Sequence, residues 1–121
     1  YIMKKVTVIH AAFEETPVTV AEVNVPVETS AFGTTNQCLE YAYRWTNNIQ
    51  GSWSRDKILT GDNGETINNG DYNDDVKVLT PLQVSKNTGQ EMGLRSTSMG
   101  DIMEFDGKKY KVDAVGFKEI V

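Results

Sequence analysis

A single histidine limits the catalytic chemistry that this sequence can carry. His10 is the only histidine and Cys38 the only cysteine among 121 residues. Catalysis by a Ser–His or Cys–His pair would therefore have to use His10. Zinc needs three or four nitrogen or sulfur ligands, and these two residues give only two. Both lie among apolar residues, so we interpret both as structural and predict no catalytic residue, no metal site and no cofactor.

A polar cluster at residues 95–101 is the strongest candidate for an anion site. A pocket for an anion or nucleotide would be lined by a cation, three hydroxyls and one lysine of the following hairpin, namely Arg95, Ser96, Thr97, Ser98 and Lys109. In the alternative interpretation the hydroxyls brace a turn through backbone hydrogen bonds, and Asp101 caps the next strand. We favour the bracing role because no glycine-rich phosphate loop accompanies the cluster.

An acidic segment is the second candidate. Residues 56–75 hold six acidic residues against one lysine, which accounts for the net charge of −5. The spacing of an EF-hand is absent, and turn signals predict a long polar loop over 54–75. Such a loop can dock on a basic partner by electrostatic steering or imitate nucleic-acid phosphate. An exposed Trp53 beside it can anchor the interface, although core packing is slightly favoured for the aromatic residues of this region as a group. The predicted interaction surface is Trp53, Asp62, Asp71, Asp74 and Asp75.

The C-terminal segment gives the clearest prediction of local structure. Asp106–Gly107 favours a two-residue type I′ hairpin turn. The register that follows pairs Phe105 with Lys108, Glu104 with Lys109 and Met103 with Tyr110. Alternation then places five side chains on the core-facing side: Met103, Phe105, Tyr110, Val112 and Ala114. On the other face, Glu104 and Lys109 are predicted to form an ion pair, and Gly116 is predicted to mark a bulge or a close backbone approach.

The remaining elements complete an α+β prediction. One helix is expected at about 35–49, with Thr34 and Gln37 as a capping box. Residues 6–13 and 18–27 are predicted strands, the first in the sheet interior and the second with a bulge near Ala21–Glu22. We predict one domain over 1–121, with residues 1–2 preceding a natural start at Met3. A mostly antiparallel sheet of four to six strands packs on the one main helix.

Composition excludes several classes of protein. No run approaches the roughly 20 apolar residues of a membrane helix, and we predict no membrane contact. One cysteine excludes an internal disulfide, which fits a cytoplasmic location. The charge outside 56–75 is close to neutral and forms no basic stripe, so nucleic acid is the less expected partner.

Two segments resemble small proteins of bacteriophages and mobile elements. Arg95-Ser-Thr-Ser-Met-Gly-Asp-Ile102, followed by Tyr110-x-Val112 and Gly116-Phe117-x-Glu119, is similar to the ending of YodL-like domains. The aromatic stretch Leu39–Trp53 is also similar to such phage proteins. The resemblance implies a mobile-element setting and carries no catalytic residues. A shorter similarity, through Gly100-Asp-x-Ile and Lys-x-Tyr-x-Val, is to PUA-like and ASCH-like barrels.

These observations predict a non-enzymatic accessory protein of a phage or mobile element, acting in the host cytoplasm. We expect it to bind a host or viral macromolecule, a protein in the first place, with a host-defence component among the candidates. The alternative is a PUA-like or ASCH-like small barrel that binds RNA or a nucleotide-type ligand. The oligomeric state, a homodimer included, is left open by the sequence.

Overall fold

In the part of the chain that the structure describes, a six-stranded antiparallel sheet with a single helix on one face forms the body of the protein. The computed structural model describes residues 4–26, 34–61 and 63–120. Its elements are β1 Lys4–His10, β2 Val18–Val25, α1 Thr35–Trp45, β3 Ile58–Thr60, β4 Thr66–Asn68, β5 Val76–Val78, β6 Gln83–Val84, β7 Glu91–Met92, β8 Ile102–Phe105, β9 Lys108–Val112 and β10 Phe117–Ile120. The main sheet has the order β10-β9-β8-β1-β2-β5, while β3–β4 and β6–β7 are separate two-stranded ribbons. The α+β prediction is confirmed.

The predicted C-terminal hairpin is present with the predicted register. Asp106 and Gly107 have φ values of 56° and 79°, as a type I′ turn requires. Strand pairing joins Met103 to Tyr110, Glu104 to Lys109 and Phe105 to Lys108. Met103, Phe105 and Val112 are buried in the core, and Tyr110 packs against it. Glu104 and Lys109 face each other but, among the described residues, do not approach within the 4 Å of an ion pair.

The prediction fails after Val112, where the strand ends. Ala114, expected on the core face, is exposed. Gly116, expected in a bulge, has φ 73° in a tight turn in which the Asp113 amide donates to the Gly116 carbonyl at 2.9 Å. The chain then returns as β10, which pairs with β9. A second reversal, so soon after the first, therefore adds an edge strand.

A bulge in β2 keeps its two sets of apolar residues in the core. Val8 pairs with Ala21 and Ile9 with Thr19, which leaves Val20 as the extra residue. Val20 and Ala21 are consequently both buried. The bulge lies next to the predicted position, and β1 is interior as predicted, with β2 and β8 on its two sides.

Helix α1 begins where the capping box predicts and ends earlier than expected. The Thr34 hydroxyl and the Gln37 side chain make the reciprocal capping bonds. Cys38, Leu39 and Ala42 face the sheet and are buried. The helix ends at Trp45 because side chains take over its last carbonyls: the Thr46 hydroxyl donates to Ala42 at 2.8 Å, and Asn47 donates to Tyr43. Ile49, predicted to lie in the helix, is outside it and exposed.

Candidate functional site

Arg95 lies between two carboxylates at the end of β1. Its guanidinium donates to Asp101 through Nη1 at 2.7 Å and Nη2 at 2.8 Å. It donates to Glu14 through Nε at 3.1 Å and Nη2 at 2.7 Å, and Nη1 also reaches the Ser96 carbonyl at 2.9 Å. A guanidinium has five N–H donors, so every one of them has an intramolecular acceptor. Arg95 therefore has no donor left for an anion.

Asp101 is the buried anion at the centre of this network. Its side chain is 0% exposed and accepts backbone N–H groups from Ala11 at 2.8 Å, Ala12 at 2.9 Å and Ser98 at 2.8 Å. Burial alone would raise the pKa of Asp101, but the hydrogen bonds from Arg95 and from these amides lower it to about 2. The ionised carboxylate thus ties the β1–β2 loop to the segment before β8.

A chain of buried hydroxyls runs from His10 to the end of α1. His10 Nε2 lies 3.1 Å from Thr97 Oγ1, Thr97 Oγ1 lies 2.8 Å from Thr46 Oγ1, and Thr46 donates to the Ala42 carbonyl. Because a carbonyl only accepts, Thr46 must donate to it and Thr97 must donate to Thr46. His10 then donates through Nε2, so the neutral form that fits this chain is the Nε2–H tautomer. Burial, followed by the charge of Arg95, lowers the pKa of His10 below 6.5.

These contacts agree with the bracing interpretation of residues 95–101. Thr97 and His10 are both buried. Ser96 Oγ accepts the Asn48 amide at 2.8 Å, and Ser98 Oγ donates to the Ser96 carbonyl at 3.2 Å. Lys109 pairs with Glu104, in the register that points away from the core. The residues of the predicted anion pocket therefore do not converge on one space.

Trp53 is buried, so the expectation of an exposed interface anchor is wrong. Its side chain is 2% exposed, and its Nε1 donates to the Arg95 carbonyl at 2.9 Å. The indole also meets His10 edge to face, with the ring centroids 6.2 Å apart. Polar neighbours in the sequence suggested a surface position, but the partners of this indole lie about forty residues away.

Asp71, predicted to face a partner, is also buried and binds the chain's own backbone. Its Oδ2 accepts three successive amides, from Ile49 at 2.7 Å, Gln50 at 2.8 Å and Gly51 at 2.7 Å. Arg44 donates to Oδ1 at 3.3 Å. Successive backbone N–H groups form an anion-binding concavity, and here the bound anion is a side chain of the same molecule. Asp71 is therefore a structural residue.

The remaining described members of the predicted acidic surface, Asp74 and Asp75, differ in exposure. Asp75 is half-buried and accepts the Tyr41 hydroxyl at 2.9 Å, whereas Asp74 is exposed. Asp62 lies outside the described residues. The segment predicted as a loop over 54–75 contains the β3–β4 ribbon, so its charges are divided between structural bonds and separate turns.

An apolar surface that the sequence did not reveal lies at one end of the main sheet. We call Phe13, Met99 and Val115 the apolar rim; their side chains are 74%, 59% and 92% exposed. They belong to the β1–β2 loop, the segment before β8 and the β9–β10 turn. The pairing of Ile9 with Ile102, and of Ile102 with Lys111, brings these three connections to the same end of neighbouring strands.

The polar network holds two of these connections rigidly. The Phe13 ring lies against the Arg95 guanidinium, 4.8 Å from its carbon, and the Phe13 amide donates to Glu14 at 3.1 Å. Gly100 has φ 98°, and a Cβ there would lie 3.1 Å from the Ala12 Cβ. The β1–β2 loop and the segment before β8 thus pack against each other. The ion pair of Arg95 with Asp101 orders the backbone that presents Phe13.

The sheet face opposite α1 carries an excess of lysine. By strand alternation, five lysines and two glutamates point to this face: Lys5, Lys77, Lys109, Lys111, Lys118, Glu22 and Glu104. Lys5 pairs with Glu22 at 3.7 Å. Lys111 and Lys118 are direct cross-strand neighbours, an arrangement of like charges that is unfavourable without a counter-ion.

Comparisons with protein families, with curated proteins and with solved structures found no match to this chain. Within residues 4–26, 34–61 and 63–120, no group of three or more His, Cys, Asp or Glu side chains is placed to hold a metal ion. The single helix of that part of the chain is too short and too polar to cross a membrane.

Proposed function

We propose that this chain is a non-enzymatic binding protein that engages a protein partner through the apolar rim. The observation that carries the proposal is Phe13, which is 74% exposed on a loop whose backbone is fixed by a buried ionic network. Exposed apolar side chains that cluster on neighbouring loops mark interaction sites more often than isolated ones do.

Rigidity is the reason that this surface suits binding. Association costs free energy for each side chain or loop that must become ordered. The Ala11 and Ala12 amides are already held by Asp101, so the loop that carries Phe13 would lose little further freedom. Aromatic residues and methionine are enriched at the cores of interfaces, and the rim offers one of each.

Charge indicates the chemistry of the partner. Glu14 and Glu15 directly follow Phe13 in the β1–β2 loop, and the charge of Arg95 is balanced by Glu14 and the buried Asp101. The rim is therefore apolar at its centre and acidic at its edge. A complementary partner has an apolar pocket with lysine or arginine at its border.

The biological setting in this proposal rests on the resemblance of residues 95–119 to YodL-like domains. It supports an accessory protein of a phage or mobile element that acts in the host cytoplasm. A component of host defence fits such a setting as the partner.

The test compares capture of bacterial host proteins by the wild type, by Phe13→Ala and by Ile49→Ala. Ile49 is exposed as well but lies outside the rim, so it is the matched control. The proposal expects one saturable partner that wild type and Ile49→Ala bind equally in a purified binary assay. Phe13→Ala should weaken that complex about tenfold or more. Equal affinity of all three proteins, or no saturable partner, would contradict it.

The lysine face supports a second candidate function, in which the open face of the sheet binds nucleic-acid phosphate. The juxtaposed Lys111 and Lys118 favour it, and Lys109 lies on the same face. The described strands form an open sheet in which β10 and β5 are the two edge strands and do not pair with each other. This candidate is therefore supported by the lysine charges and not by a closed barrel.

A mobility-shift assay separates this candidate from the first. Salt-sensitive RNA or DNA binding that is lost in Lys111→Glu and retained in Phe13→Ala would favour it. Binding that is indifferent to salt and to Lys111→Glu would exclude it.

A further inference from the structure

A groove of about 220 Å³ separates the two small ribbons. It is lined by Arg55, Asp56, Ile58, Leu59, Thr60, Gln90 and Glu91. Three of these residues are the consecutive members of β3. Because side chains alternate between the two faces of a strand, a groove that touches three successive residues follows the edge of that strand. The groove therefore runs between an edge of β3 and the strand β7.

The hydrogen bonds of the β3–β4 ribbon show which backbone groups face this groove. Gly61 donates to Glu65 at 2.8 Å, and Asn69 donates to Lys57 at 2.9 Å. Hydrogen-bonded pairs alternate with non-bonded pairs in an antiparallel ladder. Leu59 is consequently bonded toward β4, whereas the N–H and C=O groups of Ile58 and Thr60 point away from it. Across the described residues, these four groups have no backbone or side-chain hydrogen bond.

The β7 side of the groove also presents backbone groups that are not used in its own ribbon. Ser85 donates to Gln90 at 2.8 Å, which makes that pair a bonded one and the next pair, Val84 and Glu91, a non-bonded one. The N–H and C=O groups of Glu91 therefore point away from β6. Since Glu91 and Gln90 line the groove, free backbone donors and acceptors are available on both of its sides.

We propose that this groove is a second binding site, which takes an extended peptide segment of another protein by strand addition. Main-chain hydrogen bonds to an exposed strand edge are an established mode of peptide recognition, and here Ile58, Thr60 and Glu91 would supply them. Asp56 and Glu91 stand against Arg55 alone, so the groove favours a peptide with a lysine or arginine side chain. The site is separate from the apolar rim and does not depend on it.

The experiment uses the full chain and a synthetic probe, the capped hexapeptide Thr-Val-Lys-Val-Thr-Val. Amide hydrogen exchange and nitrogen-15 NMR titration report where it binds. The expected result is slower exchange, by about tenfold at saturation, for the Ile58, Thr60 and Glu91 amides. A peptide with alternate N-methyl groups lacks the backbone donors and should not bind, and a Lys-to-Glu peptide should bind more weakly.

Two proline variants test the edge itself. Thr60→Pro removes an N–H that points into the groove and takes no part in the β3–β4 ladder, and it should weaken peptide binding about fivefold or more. Thr66→Pro removes the equivalent N–H from the outer edge of β4 and should leave binding unchanged. If Thr60→Pro loses its folded spectrum, Glu91→Pro supplies the same test from the opposite wall.

Three outcomes would overturn the proposal. The first is no saturable binding of the hexapeptide at millimolar concentration. The second is equal binding of the N-methylated peptide. The third is protection that appears at the edges of β5 or β10, or that arises from self-association of the chain, and not at the groove.

Discussion

The Arg95→Ala substitution best distinguishes a structural role of Arg95 from a role in binding a ligand. In Arg95→Ala, Asp101 stays buried with three backbone donors but without its counter-ion, and Glu14 loses both of its guanidinium contacts. Breaking a buried ion pair costs roughly 3–5 kcal/mol. Because the three amides still stabilise the carboxylate, we expect the lower end, about 3 kcal/mol.

Arg44→Ala is the matched control. Arg44 is similarly half-buried, yet it makes one hydrogen bond of 3.3 Å to a buried aspartate that three amides already hold. Its guanidinium also lies 4.1 Å from the Trp45 ring centroid. A partly exposed ion pair and one cation–π contact together contribute about 1 kcal/mol.

Urea unfolding followed by tryptophan fluorescence measures both variants. In a parallel thermal unfolding experiment on a domain of this size, a loss of about 3 kcal/mol lowers Tm by roughly 10 °C. Arg95→Lys should recover only part of the stability, because an ammonium cannot span two carboxylates as a fork does. Equal destabilisation in Arg95→Ala and Arg44→Ala would refute the reasoning, and so would full recovery in Arg95→Lys.

Three further predictions follow from the same contacts. The lowered pKa values of Asp101 and Glu14 mean that their stabilisation is complete above the unfolded pKa of about 4 and is lost as pH falls toward 2; the Asp101 part is roughly 2 kcal/mol. The pKa of His10 is lowered from 6.5 in the folded protein, so His10 also makes the folded state less stable as pH falls below 6.5. The free energy of unfolding should therefore decline from pH 7 to pH 2. A flat profile would contradict the roles given to the two carboxylates and to His10. Asp71→Ala leaves three amides without their acceptor and should cost at least about 2 kcal/mol in urea unfolding, whereas a neutral result would show that Asp71 is not structural. Gly100→Ala should lower the free energy of unfolding by roughly 1–3 kcal/mol, because Gly100 has φ 98° and a Cβ there would approach Ala12. Gly64→Ala should cost less, because Gly64 has φ 81° but open space around it. Equal Tm values for the two variants would argue against a close contact between the rim loops.

The parts of the fold that sequence predicted are those fixed by neighbouring residues. The Asp106–Gly107 reversal and the capping box of Thr34 each depend on a few adjacent side chains, and both are present. The bulge in β2 was visible because the apolar alternation changes phase within one strand. Local propensity and alternation are short-range properties, so they can be recognised without knowledge of the fold.

The positions of Trp53 and Asp71 were predicted poorly because their partners come together only through the fold. Trp53 is buried by a segment that begins near Arg95, and Asp71 binds amides about twenty residues earlier in the chain. Nothing in the acidic composition distinguishes a carboxylate that caps the backbone from one that faces a partner. The apolar rim was missed for the same reason, since the connections that carry Phe13, Met99 and Val115 come to one end of the sheet only when three strands pair.

Residue-resolved hydrogen exchange of the Ala11 and Ala12 amides tests most directly whether the Arg95–Asp101 network fixes the loop that presents Phe13. Both amides donate to Asp101, so we predict slow exchange in the wild type and fast exchange in Asp101→Ala, which removes their acceptor, with Val6 and Val8 in β1 protected in both proteins. Exchange of Ala11 and Ala12 in the wild type at the rate of an unstructured loop would contradict the claim.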